Sequence, residues 1–184
     1  MNIFRWGSFA LFSLFLTACQ FKTGGFDLPE SVTFQKQRFE KVTQNQIDEM
    51  QQLLYLPAEG AKNPENWQKG ILIFVDKNSK GMSLADRASL RQNAFAQQVD
   101  TQAKVEVAQN ELRSEVLYPP TERFNDVQLE VSRGRDLQCG YAQMQFSDKR
   151  SAFANKLQNL TAYQQALSEL AFEFSRLAWQ VNCK

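Results

Sequence analysis

Five consecutive residues, Ile71-Leu72-Ile73-Phe74-Val75, are apolar at every position. A strand sends alternate side chains to opposite faces, so a run of this kind is tolerated only where both faces are covered. It predicts a central strand, and the rest of the chain must supply two covers. With 184 residues, 43% of them hydrophobic, the chain is large enough to do so as one folded domain. Its 8 Gly and 5 Pro are too few for a repeat fibre or a disordered tract.

Around that strand the apolar pattern changes period several times. Val32 and Phe34 alternate with Thr33 and Gln35, which predicts a strand continuing toward Val42. Thr43-Gln44-Asn45-Gln46 fits a capping box, and Ile47, Met50, Leu53 and Leu54 form one helical face, so a first helix is expected there. Residues 56–68, with Pro57, Gly60 and Pro64, read as a loop. After a second loop at 76–81, Ser83 with Asp86 three places on opens another helix. Its stripe is Leu84, Ala88, Phe95 and Val99, with Leu90 and Ala94 beside it. Val105, Val107, Leu112, Val116 and Leu117 make an extended stretch closed by Pro119-Pro120. Val127, Leu129 and Val131, then Ala142, Met144 and Phe146, alternate with polar neighbours, as strands with one wet face do.

The tail carries Phe153, Leu157, Leu160, Tyr163, Leu167, Leu170, Phe174, Leu177 and Val181 at spacings of four and three. Such a seam serves either a coiled-coil partner or the chain's own sheet, and the second is the expectation. Phe172 and Trp179 lie off the seam and are then the exposed aromatics available for a partner contact. The expected fold is α/β: a two-layer sandwich in the order β-α-β-α-β-β, a mixed sheet with helices on it, plus a C-terminal helical hairpin.

The amino end fixes an address. Arg5 precedes an apolar run over 6–16, too short for a bilayer span of roughly 20 residues, and small residues follow before Cys19. This layout is that of a secretory signal. Its three cysteines then divide: Cys19 ends the signal, and Cys139 and Cys183 remain as an even pair in an oxidising compartment, expected to form a disulfide. The bridge constrains the tail. Residues 147–182 lack Gly and Pro and as one helix would run about 50 Å, whereas the chain from Cys139 to Ser147 reaches back at most about 28 Å. The tail must therefore bend, and Asn159-Leu160-Thr161, with Thr161 as N-cap, is the expected place.

Leu16-Thr17-Ala18-Cys19 resembles the lipobox of bacterial lipoproteins. The resemblance implies cleavage before Cys19, acylation of that residue, and, with Gln20 rather than Asp following it, an outer-membrane destination facing the periplasm in a Gram-negative cell. Residues 1–18 are then the signal, 19–30 a lipidated tether, and 31–184 a single α/β domain. Partners follow from this: a membrane through the lipid anchor and another protein of the envelope.

Chemistry has little to work with. The chain has no His, which removes most Ser-His and Cys-His pairs and most zinc sites, so neither an enzyme nor a metal or cofactor is expected. Glu122, Asp126 and Glu130 read as solvated acids. Lys plus Arg number 21 against 20 Asp plus Glu, and without a basic patch no nucleic-acid partner is expected.

Two further resemblances use the same segments. Asp76, Gly81, Ser83, Arg87 and Ala88 are similar to the loop and helix start of OmpA-like peptidoglycan-binding domains, although Val75 stands where that family has Thr. The likeness implies that Asp76 and Arg87 contact the stem peptide of peptidoglycan. Residues 47–54, 71–75, Asp86-Arg87-Ala88, 127–131 and Cys139-Gly140 together resemble the lipoproteins of tight-adherence (Flp) pilus assembly, the CpaD type. That likeness implies a non-catalytic assembly factor beside an outer-membrane secretin.

Overall fold

A computed structural model describes residues 24–121, 125–151 and 160–184. In chain order the strands and helices are β1 (Phe26–Asp27), β2 (Ser31–Phe34), β3 (Gln37–Ile47), β4 (Met50–Pro57), β5 (Lys69–Asp76), α1 (Leu84–Ala96), β6 (Gln102–Ala108), β7 (Glu111–Tyr118), β8 (Asp126–Leu137), β9 (Gly140–Ser151), α2 (Thr161–Ser175) and β10 (Asn182–Cys183). Eight of the strands form one sheet in the order β2-β3-β4-β5-β9-β8-β7-β6, and every neighbouring pair is antiparallel. The expected α/β character holds, but the sheet is antiparallel throughout and not mixed.

The apolar run of β5 lies in the middle of this sheet, as its composition requires. Ile71, Ile73 and Val75 point to one face and are almost wholly buried. On that face Leu53 and Tyr55 of β4, Met144 and Phe146 of β9, and Leu129 and Val131 of β8 continue the layer. Its cover is α2, through Leu167, Leu170 and Phe174. Phe34, Phe39, Phe146 and Phe174 meet edge to face with ring centroids 4.9 to 5.9 Å apart, tying β2, β3, β9 and α2 together. Thus the tail seam does pack on its own sheet. On the opposite face Leu72 joins Leu54 and Leu56, with Trp67 and Phe74 against them. Farther across that face α1 covers Leu112 and Tyr141 through Ala88 and Leu84. The helices therefore lie on opposite faces, where a two-layer sandwich would have placed them together.

Three local expectations are corrected. No helix forms around Ile47 to Leu54; β3 and β4 make a hairpin there. Leu53 to Leu56 are buried on both faces beside β5, which is a strand requirement, and Asp48 adopts a left-handed φ of 53° at the turn. The stretch from Val105 to Leu117 is two strands, reversed at Gln109 and Asn110, both left-handed. In the tail, Ser147 to Ser151 belong to β9, so no helix begins at Ser147, and 152–159 lie outside the described residues. The expected bend at Asn159-Leu160-Thr161 adjoins those residues; α2 has Leu160 as its N-cap, one residue before the expected Thr161. By contrast α1 starts as expected, with Ser83 and Asp86 forming a capping box.

Cys139 and Cys183 are disulfide-bonded, Cα atoms 5.6 Å apart. The bridge joins the β8–β9 turn to β10, and β10 pairs with β1 so that Phe26 lies opposite Cys183. Residues 24–30 are consequently not free tether: Phe26 is buried, Leu28 packs on the core, and the Pro29 carbonyl accepts from the Tyr55 hydroxyl at 2.8 Å. Gly140 is required at the turn, because it has φ 133° and a Cβ would sit 2.1 Å from the Asp76 carbonyl oxygen. Replacing both bridge cysteines with Ser should reopen the closed loop of 44 residues' separation and cost about 4 kcal/mol on the chain-entropy account. Urea unfolding of the protein measures it; an unchanged midpoint would contradict a structural role for the bridge.

Candidate functional site

The end of the sheet that carries the disulfide gathers most of the residues singled out in the sequence. β5 delivers Asp76 there, and the capped start of α1 delivers Arg87. Arg87 Nη2 donates to Asp76 Oδ2 at 2.7 Å and to Asn78 Oδ1 at 2.8 Å, while its guanidinium lies 4.0 Å from the Tyr141 ring centroid. Asp76 also accepts from the Asn78 backbone N–H at 2.8 Å. The two residues thus come together as expected, but they pair with each other, half-buried, and close the β5–α1 loop. Cys19 lies outside the described residues. Phe172 is 64% exposed on α2, as expected of a side chain off the seam. Trp179 is not exposed: it packs against the core, with the Arg135 guanidinium 4.6 Å from its ring centroid.

Two polar clusters went unnoticed in the sequence. In the first, Glu111, 2% exposed, takes hydrogen bonds from Arg133 Nη2 at 2.7 Å, Arg135 Nε at 2.6 Å and Arg113 Nε at 2.9 Å. Arg133 Nη1 in turn donates to the carbonyls of Phe174 and Leu177, at 3.1 and 2.7 Å, at the end of α2, where helix carbonyls run out of intrahelical donors; the Phe174 carbonyl also takes the Leu177 N–H. A cation at a helix C-terminus also opposes the helix dipole. Burial pushes the Glu111 carboxyl up, and the three guanidinium contacts more than reverse that, holding it at about 2 against an ordinary 4.5. A signal existed: the inward phase of Val127, Leu129 and Val131 continues through Arg133 and Arg135.

The second cluster lies on the face under α1. Tyr141, Gln143, Gln145 and Ser147 of β9 hydrogen-bond in succession at 3.1 to 3.4 Å, and the Ser147 hydroxyl donates to Glu130 at 3.5 Å. Tyr118 and Gln128 also donate to Glu130, and Ser114 meets Ser132 at 2.6 Å. Glu130 was expected to be solvated, yet it is 8% exposed. The alternation of β8 holds, but the middle of its second face is buried at Glu130 and Ser132, where Arg91 of α1 donates to the Ser132 hydroxyl at 3.2 Å. Burial raises the Glu130 pKa above its ordinary value, with the hydrogen bonds of Tyr118 and Gln128 opposing it. Asp126 is exposed as expected, and Glu122 lies outside the described residues. Beyond Glu130 a cavity of about 380 Å³ opens between Trp67, Tyr118, Gln128 and Lys149, the Lys149 ammonium lying 3.7 Å from the Trp67 ring centroid. Burial lowers the Lys149 pKa.

Glu111→Ala should destabilise the fold by about 3–5 kcal/mol, because it leaves buried Arg133 without its counter-charge. In the parent protein this carboxylate is ionised more readily folded than unfolded. Its contribution is therefore complete above pH 4.5 and lost as pH falls toward 2. Unfolding curves of parent and variant should converge over that interval; a constant gap would contradict the assignment. Glu130 has the opposite sign, since the folded state binds its proton more tightly, so its contribution weakens stability as pH rises above 4.5. Glu130→Gln should remove that decline, and an unaltered pH slope would contradict a raised pKa.

A protein-family model matches residues 26–179. An uncharacterised protein of Haemophilus influenzae is 25% identical over 187 residues, an alignment spanning 95% of this chain and 96% of that protein. No solved structure matches the chain. Since the family match covers most of the chain, from the buried Phe26 to Trp179, the protein belongs to that uncharacterised family.

Proposed function

We propose that the protein is a non-catalytic lipoprotein of the outer membrane that assembles or steadies a larger envelope machine. The Flp pilus beside its secretin is the machine that the sequence resemblance favours. One observation carries this reading: the Cys139–Cys183 disulfide holds β10, and through it β1, at one end of the sheet, so the fold is completed by a bond suited to an exported protein. The internal use of the charged groups supports a scaffold role. Asp76 is taken by Arg87, and Glu111 by three arginines, which leaves these groups committed to holding elements together. Contact of peptidoglycan with Asp76 and Arg87, the second implication of the sequence, would require that pair to open. Exposed Phe172 on α2 is the aromatic offered to a protein partner.

Palmitate labelling and detergent purification in the same cells test the proposal. The parent protein should be labelled and should co-purify with an outer-membrane secretin, whereas Cys19→Ser should remain an unlabelled, uncleaved precursor. Normal processing of Cys19→Ser would overturn lipidation. Retention on purified peptidoglycan, lost on Arg87→Ala with the fold intact and with no secretin recovered, would overturn the assembly role.

A further inference from the structure

The disulfide end of the domain also carries exposed apolar side chains. Met50, Asp76, Tyr141 and Asp136 lie opposite one another in a row across β4, β5, β9 and β8. At the usual spacing between neighbouring strands that row is about 15 Å wide. Just past it, at the same end, lie the β8–β9 turn with Cys139 and the β3–β4 turn at Asp48 and Glu49. Flanking the latter are Ile47, 73% exposed, and Met50, 52% exposed, which pair with each other across the hairpin. Apolar side chains at a hairpin tip have no role in this core. The tip is nevertheless held in place: the Glu49 carbonyl accepts from the Lys77 N–H, and the Glu49 carboxylate from the Ser79 hydroxyl at 2.8 Å.

The position of the amino terminus says what faces this tip. Phe26 pairs with Cys183, and the Lys184 N–H donates to the Gly25 carbonyl at 2.8 Å, so Gly24 enters the fold beside the disulfide. From Cys19 to Gly24 the chain can extend at most about 18 Å. An acylated Cys19 would therefore hold the disulfide end within that distance of the bilayer surface. We infer that the β3–β4 tip, through Ile47 and Met50, rests on the lipid surface beside the acylated amino terminus. This rests on the lipoprotein reading. The contact is shallow, because Asp48 and Glu49 between the two apolar residues stay at headgroup level. It turns α2 and its exposed Phe172 sideways to the membrane, and it points the far end of the domain, where α1 leads into β6, into the periplasm.

The full lipidated protein, reconstituted in vesicles of phosphatidylethanolamine and phosphatidylglycerol, tests this through lipids brominated near the headgroup. Ile47→Trp and Val99→Trp add one emitter each at exposed positions on opposite ends, Val99 being 84% exposed. The emission added at position 47 should lose more than half its intensity, and that added at 99 should be unaffected. In the unmutated protein, hydrogen exchange over 46–51 should slow in vesicles relative to detergent micelles exchanged for a soluble polymer, which excludes an artefact of the new Trp. The mass of the amino-terminal peptide is read on the same preparation. An unacylated Cys19 overturns the anchor and this orientation with it. An acylated protein with position 47 unquenched, or quenched no more than 99, overturns the orientation alone.

Discussion

The covalent closure between Cys139 and Cys183 is the constraint from which the arrangement of both chain ends follows. β1 and β10 have two residues each, far too little pairing to persist as an isolated ribbon. Fastening Cys183 to the turn of the central hairpin gives β10 a fixed place, and β1 then has an edge to pair with. Buried Phe26 and Val181 extend the core beneath this small ribbon. The same bond ends the path of the tail, which leaves the sheet at Ser151 and returns through α2 across its face.

A second level of organisation is electrostatic. The end of α2 is secured by a buried guanidinium, Arg133, which donates to the carbonyl of Phe174, shared with the Leu177 N–H, and to the carbonyl of Leu177 just beyond the helix. Burying that charge is costly unless a counter-charge is buried with it, and Glu111 supplies one while also accepting from Arg113 and Arg135. Ion pairs of this kind add less to net stability than an apolar core of similar volume, but they set one position for the helix on the sheet. On the other face the chain of hydroxyls and amides from Tyr141 to Glu130 has the same character. Each group satisfies its neighbour, so polar residues occupy a dry interior without orphaned donors along that row.

Much of this was legible from residue pattern. The run at Ile71 to Val75 lies in the middle of the sheet, Ser83 and Asp86 cap α1, and Cys139 and Cys183 are bonded to each other. The errors share a cause. A continuous apolar stretch such as Leu53 to Leu56 satisfies a helical face and a doubly buried strand alike, and only the neighbouring β5, distant in sequence, decides for the strand. Glu130 and Ser132 occupy the polar phase of β8, and nothing local reveals that α1 crosses over that phase. Arg133 and Arg135 were readable in principle, since they continue the inward phase, but the partner that makes them tolerable, Glu111, comes from another strand. Trp179 was placed outward by its offset from the helical seam, whereas α2 stops at Ser175 and the chain beyond it no longer follows helical spacing.

In the proposed account, function follows from location. A domain whose buried charges Glu111 and Arg133 pair with each other, whose ends meet at a disulfide, and whose amino terminus enters beside that bond is, in the proposed reading, suited to being held at a surface and touched by other proteins. Among the described residues no helix is long and apolar enough to cross a membrane; the lipid anchor proposed above lies ahead of Gly24. The compartment is the claim on which the rest stands. Quenching cells in acid and then alkylating the denatured, unreduced protein with a maleimide polymer reads it directly: Cys139 and Cys183 should gain no polymer until a reductant is added. Two polymer chains on the unreduced protein would mean a reducing interior and would contradict the account.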